Sequence, residues 1–503
     1  MDTAKLIIPI SLLLTACTAV GPDYHTPDMA TPKHWQSAPA STNAQTGNDT
    51  WWQSFNDPQL NQLIGQAIGA NLDLKKALVR IQDARAQRVS VFAAALPSLS
   101  AKSNISRRLN NTSGGGPSGS TAGSGFGIGS QLIDIFQSGF DAQWELDFFG
   151  GVQRAAEAAN ASVDSEIENS RAVLVTLLGD VARTYVELRA NQQWLAITEN
   201  TLKSQTETLE LTQIRQQSGL ADSLAVTQAQ AQLSATQAQQ PLYESQIQQK
   251  LHALSVLLGQ PPAALNARLQ RPAPVPHVTA TAIPELPSEL LKRRPDIRRA
   301  ERLLAVAVAN IGIAKSELYP KINLSAFLGL QNLSIKEVTP IGKSWSTAAS
   351  LSMPLFNWGR LQADVKSKQM LSEEAKLSYE AAILTAFKEV EDALTAYQKE
   401  QQRYQALEQA VAANQLALKL ATERYQTGLT AFIDVLDSQQ ALYQAQRDLI
   451  GSAADASNQR VALYKALGGG WQSQASVNTC TDCENSWAET VYKETKGLIH
   501  KAD

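Results

Sequence analysis

Residues 167–209 read IENSRAVLVTLLGDVARTYVELRANQQWLAITENTLKSQTETL, with an apolar side chain at every seventh position: Ile167, Leu174, Val181, Leu188, Leu195, Leu202 and Leu209. The same beat returns at Ile383, Val390, Tyr397, Tyr404, Val411, Leu418 and Tyr425. A seven-residue repeat sustained this long specifies a supercoiled seam, because only underwinding to about 3.5 residues per turn keeps such a stripe facing its partner. The chain is therefore expected to form coiled-coil helices. The first runs from about Val152 to Gln217, on the order of 100 Å at about 1.5 Å per residue.

Both stretches belong to one internal repeat. Ser218-Gly219-Leu220 matches Thr427-Gly428-Leu429, and the same shift of 209 positions superposes Val226 on Val435, Leu233 on Leu442 and Leu254 on Leu463. Gly219 and Gly428 stand where a C′ glycine ends a helix, so each long helix should turn back into a second one, about 222–258 and 431–467. Pro241 should kink the first of these.

Ahead of each long helix the period changes to two. Phe140, Ala142, Trp144, Leu146 and Phe148 alternate with Asp141, Gln143, Glu145 and Asp147, a strand with one oily side. Trp345 to Leu355 alternates with serines and alanines, and Ile322 to Leu330 with Asn323, Ser325 and Gly329. A fourth strand, Leu99 to Arg107, alternates weakly and rests on the repeat, with Pro97 corresponding to Pro320. Strands of roughly ten residues match a tilted transmembrane β-strand. Open edges are not tolerated in lipid, so four strands per chain call for completion by other copies, and three copies give a twelve-stranded barrel with room for a channel. Segments 110–130 and 331–343 become the outer loops. On periodicity alone, a soluble pair of hairpins packed on a helical bundle is the competing arrangement.

The N-terminus speaks for export. One Lys precedes the apolar run Leu6 to Leu14, the length of a secretory signal and too short to span a bilayer. Leu14-Thr15-Ala16-Cys17 is similar to the bacterial lipobox, which implies cleavage after residue 16 and acylation of Cys17, palmitate among the acyl groups, so that several chains hold the protein on outer-membrane lipid. Thr18, not Asp, follows, the pattern that sorts such lipoproteins to the outer membrane. Residues 17–58, rich in Pro, Thr, Ser and Asn between 21 and 50, read as a tether with no core of its own. The tail, 468–503, carries Cys480 and Cys483, which an oxidising periplasm would pair as a local disulfide rather than use as a zinc half-site.

From Trp51-Trp52-Gln53-Ser54-Phe55-Asn56-Asp57-Pro58 through Arg293-Arg294-Pro295-Asp296-Ile297-Arg298 to Tyr425-Gln426-Thr427-Gly428, the chain resembles the TolC family of outer-membrane factors. Its likeness is greatest to the lipoprotein branch related to nodulation protein T and OprM. The resemblance implies an α+β membrane protein of two tandem repeats: 59–270, with β-hairpin 97–148 and helical hairpin 152–258, and 271–467, with helix 288–317, β-hairpin 320–356 and helical hairpin 359–467. It further implies a homotrimer whose barrel continues as a long α-helical periplasmic tunnel. Drugs or other small solutes, handed over by a periplasmic adaptor and an inner-membrane transporter, would leave through it. A lipid-anchored coiled-coil scaffold that bridges membrane and periplasm without conducting is the alternative.

Asp434 and Asp437 match the family's acidic gate rings at the same i, i+3 spacing; by spacing alone they would complement the start of a helix. Three copies stack two carboxylate rings, which favour cations and repel one another, so opening should respond to pH or divalent ions. Tyr425 fits the tyrosine of the family's closed lock, but Thr430 stands where its arginine would be and Ala225 where its acid would be. Closure is then expected from apolar packing near Ile433 and Leu436. The turns Gly219, Leu220, Ala221, Asp222 and Gly428, Leu429, Thr430, Ala431 correspond to the family's adaptor-docking tips.

Composition agrees. Net charge −3 with 18% charged residues gives no basis for nucleic-acid binding, and a mean hydropathy of −0.21 excludes a polytopic helical membrane protein but not a barrel. The basic run Lys292 to Arg302 reads as a solvated helix start. No nucleophile–base set, phosphate loop or metal cluster stands out, so neither an enzyme nor a cofactor or metal is expected.

Overall fold

A computed structural model describes residues 19–37, 48–112, 129–276, 287–332 and 342–472. Two units emerge: residues 1–27, 81–165 and 301–378 form one, and 28–80, 166–300 and 379–503 the other.

The first unit holds the sheet. Strands β1 (Ser98–Thr112), β2 (Gly129–Leu146), β3 (Lys321–Asn332) and β4 (Lys343–Ser352) pair antiparallel in the order β1-β2-β3-β4. Register lines up Ala101, Phe140, Leu328 and Trp345 in one row and Trp144, Leu324 and Ala349 in another. The intervening rows, such as Ser100, Asp141, Phe327 and Ser346, take the opposite face. Trp345 is 73% and Leu328 66% exposed, so among the described residues nothing covers the apolar face. On the polar face Lys102 pairs with Asp141 at 3.2 Å. Gly139 and Gly329 stand opposite each other, and a Cβ on either would lie 2.6 Å from the other's Cα. The Phe327 ring covers this gap and is itself buried, an aromatic side chain protecting backbone that glycine leaves bare.

The strands depart from a uniform ten residues. β1 and β2 span 15 and 18 residues, so the weakly alternating Leu99 to Arg107 lies inside a longer strand that β2 pairs along its whole length. β2 stops at Leu146, short of Phe148, because Asp147 accepts from the Gln153 amide at 3.0 Å and caps the next helix instead. β4 ends at Ser352 rather than Leu355, since Pro354 lacks an N–H and restricts Met353.

Segment 19–27 is irregular yet fixed in this unit. The Arg154 side chain, buried, donates to the Val20 carbonyl at 3.3 Å and pairs with Asp23 at 2.7 Å and Glu157 at 2.8 Å. Tyr24 donates to Glu301 at 2.6 Å; burial first, then that carboxylate, raises the phenol's pKa.

Along the chain the helices are α1 (Pro58–Ala70), α2 (Leu72–Ala93), α3 (Gly151–Gln217), α4 (Ser223–Gln237), α5 (Gln240–Leu257), α6 (Asn266–Leu269), α7 (Pro287–Arg293), α8 (Pro295–Ser316), α9 (Arg360–Gln426) and α10 (Phe432–Ala466). α3 and α9 each have 67 residues, and their first and last residues stand 209 positions apart. Where the heptad stripe meets partners it is closed: Val181, Leu188, Ile383 and Val390 are fully buried. The kink expected at Pro241 is a break between α4 and α5 at Ala238 and Gln239. Pro295 likewise splits the single helix expected over 288–317 into α7 and α8.

The second unit corrects the tether and the basic run. Trp35 packs beside Ile297, Tyr379 and Ile383, and Trp51, Trp52 and Phe55 join Leu178, Tyr185 and Leu254 in the largest core cluster. Trp51 stacks on Tyr464 with ring centres 5.2 Å apart. Asp57 caps α1, accepting from the Gln59 and Leu60 amides, and also accepts from the Tyr185 hydroxyl at 2.7 Å. These aromatics outweigh the polar composition around them, because each removes large apolar area from water. Arg294, read as solvated, is buried; it donates to the Ala466 carbonyl at 2.9 Å and pairs with Asp296 at 2.6 Å and Glu389 at 2.7 Å. A neighbouring carboxylate, Asp296, together with Glu389 and a carbonyl from elsewhere in the chain, makes its burial tolerable.

Candidate functional site

The two tip turns have one geometry. Gly219 and Gly428 adopt φ of +77° and +78°, open space for glycine and strain for any other residue. The Leu220 amide donates to the Arg215 carbonyl and the Leu429 amide to the Arg424 carbonyl, both at 2.8 Å, closing the same C-terminal motif. This local logic leaves Leu220 and Leu429 projecting, 69% and 70% exposed. Of the residues placed at the tips, Asp222 has a structural task as well: it caps α4 by accepting from the Ala225 amide at 2.9 Å. Ala431 stands at the same place before α10 and offers no side-chain cap.

Asp434 and Asp437 lie in the first two turns of α10, and both are exposed. Thr430, in the position where an arginine was looked for, donates its hydroxyl to the Asp434 carboxylate and ties the turn to the helix. Leu436 is buried with Phe432, Val435, Tyr425, Leu209, Ala225, Ala229 and Leu233 in a cluster near the tips. Ile433 is not part of it and is exposed in the single chain, since the helical phase turns it away from that cluster.

Tyr425 is buried in that cluster, its ring 5.3 Å from that of Phe432. Its cationic partner is Arg215, at the end of α3, whose guanidinium sits 4.7 Å from the ring centre and donates to the Gln426 carbonyl at 3.2 Å. Arg215 thus meets an aromatic face and the C-terminal end of α9 together, where a cation is favoured twice over. The sequence reading missed it. The available signal was the repeat itself, since Arg215 and Arg424 correspond in the last turns of α3 and α9.

Cys17, Cys480 and Cys483 lie outside the described residues. Among the described residues there is no group of metal-binding side chains, and no helix is long and apolar enough to cross a membrane.

Comparison with known proteins adds the following. A sequence model of the family described as "Outer membrane efflux protein" matches residues 63–260 and 286–469. The pyoverdine export outer membrane protein OpmQ of Pseudomonas putida is 34% identical over 471 residues, covering 93% of this chain and 98% of its own length. Nodulation protein T of Rhizobium leguminosarum bv. viciae is 31% identical over 468 residues, covering 93% of each. Among solved structures, the outer-membrane channel OprN superposes with a TM-score of 0.82 at 32% identity, covering 90% of this chain and 99% of that one.

Proposed function

Because the chain belongs to the outer membrane efflux protein family, we propose that it works as a homotrimeric duct, the outer-membrane component of a tripartite efflux system. The observation that carries the reading is the sheet. It has one uncovered apolar face, one polar face, and a free edge on β1 and on β4 among the described residues. Lipid accepts the first feature and forbids the last, so the edges need other copies. Three chains close twelve strands around a polar lumen. The long helices then extend the lumen into the periplasm as a coiled-coil tunnel.

Function in such a duct is passage, not chemistry. The family is one of channel components, and its relatives are named for pyoverdine, toluene and solvent export; for this chain the cargo is the wider class of drugs and other small solutes. The exposed leucines of the two tips offer a periplasmic adaptor apolar knobs, and an inner-membrane transporter behind it supplies the cargo. Lipidation at Cys17 anchors the N-terminus in the same membrane. Asp434 and Asp437, three of each, form carboxylate rings at the periplasmic mouth that favour cations.

Planar-bilayer conductance of the purified protein tests this. Wild type should run as a trimer in detergent and show a small cation-selective conductance blocked by a multivalent cation from the periplasmic side. Asp434→Ala/Asp437→Ala should lose both block and selectivity. A monomer that never conducts would replace the duct by a lipid-anchored scaffold.

A further inference from the structure

Residues 19–27, which begin two positions after Cys17, lie on the first unit as a peptide lies in a cleft. The Val20 amide donates to the Phe149 carbonyl at 3.0 Å. From the α3 side the Arg154 guanidinium donates to three successive carbonyls, those of Ala19 at 3.5 Å, Val20 at 3.3 Å and Gly21 at 3.5 Å, and pairs with Asp23 at 2.7 Å. One buried cation thus satisfies backbone acceptors that join neither a helix nor a sheet, while Glu157, 2.8 Å away on the same helix, holds it in place. Gly21, at φ +107°, passes α8 so closely that a Cβ on it would lie 2.6 Å from the Gly312 Cα. Further along α8, Glu301 accepts from the Tyr24 hydroxyl at 2.6 Å and from the Thr26 hydroxyl at 3.2 Å. The cleft therefore selects a missing side chain at 21 and particular polar groups at 23, 24 and 26, which is a sequence-specific fit.

The internal repeat supplies a control. Shifted by 209 positions, Phe149, Gly150 and Arg154 become Trp358, Gly359 and Ala363. The backbone turn is kept, with Gly150 and Gly359 at φ of +74° and +80°. A Cβ on Gly150 would run into Ala19, whereas one on Gly359 would meet nothing within 4 Å, and Trp358 is 90% exposed. The same turn without the arginine carries no strap among the described residues, so the turn alone does not make the cleft.

We propose that residues 20–26 are a docking peptide, that Arg154, Gly312 and Glu301 are its receptor, and that this fit, rather than the acyl chains, fixes where the lipidated N-terminus joins the protein. The docking stands on the contacts above; its role rests on the lipidation of Cys17 in the function proposed above. Two residues of backbone reach at most about 7 Å, so a docked strap holds Cys17 close to the turn that follows β2, at one end of the sheet. Acyl chains supply affinity for the membrane but no address on the protein. The strap supplies the address, and it delivers any pull on the anchor to α3 and α8.

Electron paramagnetic resonance on the full chain decides this. With Cys480→Ser and Cys483→Ser in place, His25→Cys at an exposed strap position takes a nitroxide label, and the protein is reconstituted in vesicles of phosphatidylethanolamine and phosphatidylglycerol. With Arg154 present the label should be immobilised and report one depth, read from its relaxation by oxygen and by a nickel chelate. Arg154→Gln should raise the mobile fraction several-fold and spread the depth, and Arg154→Lys should restore part of the order. Should Arg154→Gln fail to fold, Asp23→Ala/Tyr24→Phe/Thr26→Val, which changes the strap alone, should release the label in the same way. A chain with Cys17→Ser, exported behind a non-lipoprotein signal, should keep the label immobilised. Release in that chain, with none in the Arg154 and strap variants, would show that the acyl chains hold the segment and would overturn the proposal; a label that stays immobile in every variant overturns it as well. Acylation is read separately, as mass on the N-terminal fragment. A fragment without it strikes out the lipid anchor and the role drawn from it, while the label still judges the docking.

Discussion

The two repeats share their skeleton and divide their tasks. Both build a 67-residue helix that ends in a left-handed glycine, yet the return path is a broken pair, α4 and α5, in the first and the single helix α10 in the second. The first repeat places a capping acid, Asp222, before its return helix; the second leaves Ala431 there and carries its acids inside the helix, at Asp434 and Asp437. The corresponding residues of the first repeat, Ala225 and Gln228, are uncharged. Length and turn geometry are what the two repeats hold in common, and side-chain charge is where they diverge.

The comparison can be broken hardest in the core that stands under the first repeat. Trp51→Ala removes a buried ring stacked on Tyr464 and should cost about 3–5 kcal/mol, read by urea unfolding of the detergent-solubilised protein. Truncating Ile383 in the smaller cluster that includes Trp35 should cost less, about 2–4 kcal/mol. Equal losses would show the two cores to be one cooperative block. Next come the tip glycines. Gly219→Ala and Gly428→Ala each meet open space but force alanine into the left-handed region, at about 1–2 kcal/mol apiece, and near-equal shifts in Tm would confirm that the turns are equivalent.

The caps give a smaller and more discriminating effect. Asp222→Ala should destabilise the first turn of α4 by about 1 kcal/mol, whereas Ala431→Asp should stabilise α10 by a similar amount, both measured as hydrogen-exchange protection at the helix starts. The smallest effect is one of pH. Burial tends to raise the Asp296 carboxyl, but Arg294 outweighs it and holds the group below the usual carboxylate range. Its folded pKa being depressed, the pair stabilises the fold above the ordinary Asp value of about 4, and that stability is lost as pH falls through the lower folded value. Arg294→Gln should flatten the acid limb of a stability–pH curve and leave the neutral region offset by the lost partner for Glu389.

How far the site could be read beforehand follows the range of each interaction. The tip turns were legible because the conformation of glycine at the end of a helix is local. Arg215 escaped notice because its partner Tyr425 sits on the other hairpin. Strand lengths were underestimated because β1 draws its order from pairing with β2 rather than from its own weak alternation.

By itself, then, the sequence determined the periodic parts: the long helices from the seven-residue beat, the turns from Gly219 and Gly428, the strands from alternation, and the doubling of all of these from the 209-residue shift. Those signals are written in neighbouring residues, where backbone geometry alone converts spacing into structure. The tertiary structure alone decided the fate of Trp35, Arg294, Glu301 and Arg215. A buried charge or an inserted aromatic ring is stable when a carboxylate, a carbonyl or an apolar wall also arrives from a distant part of the chain, and no local pattern records that arrival.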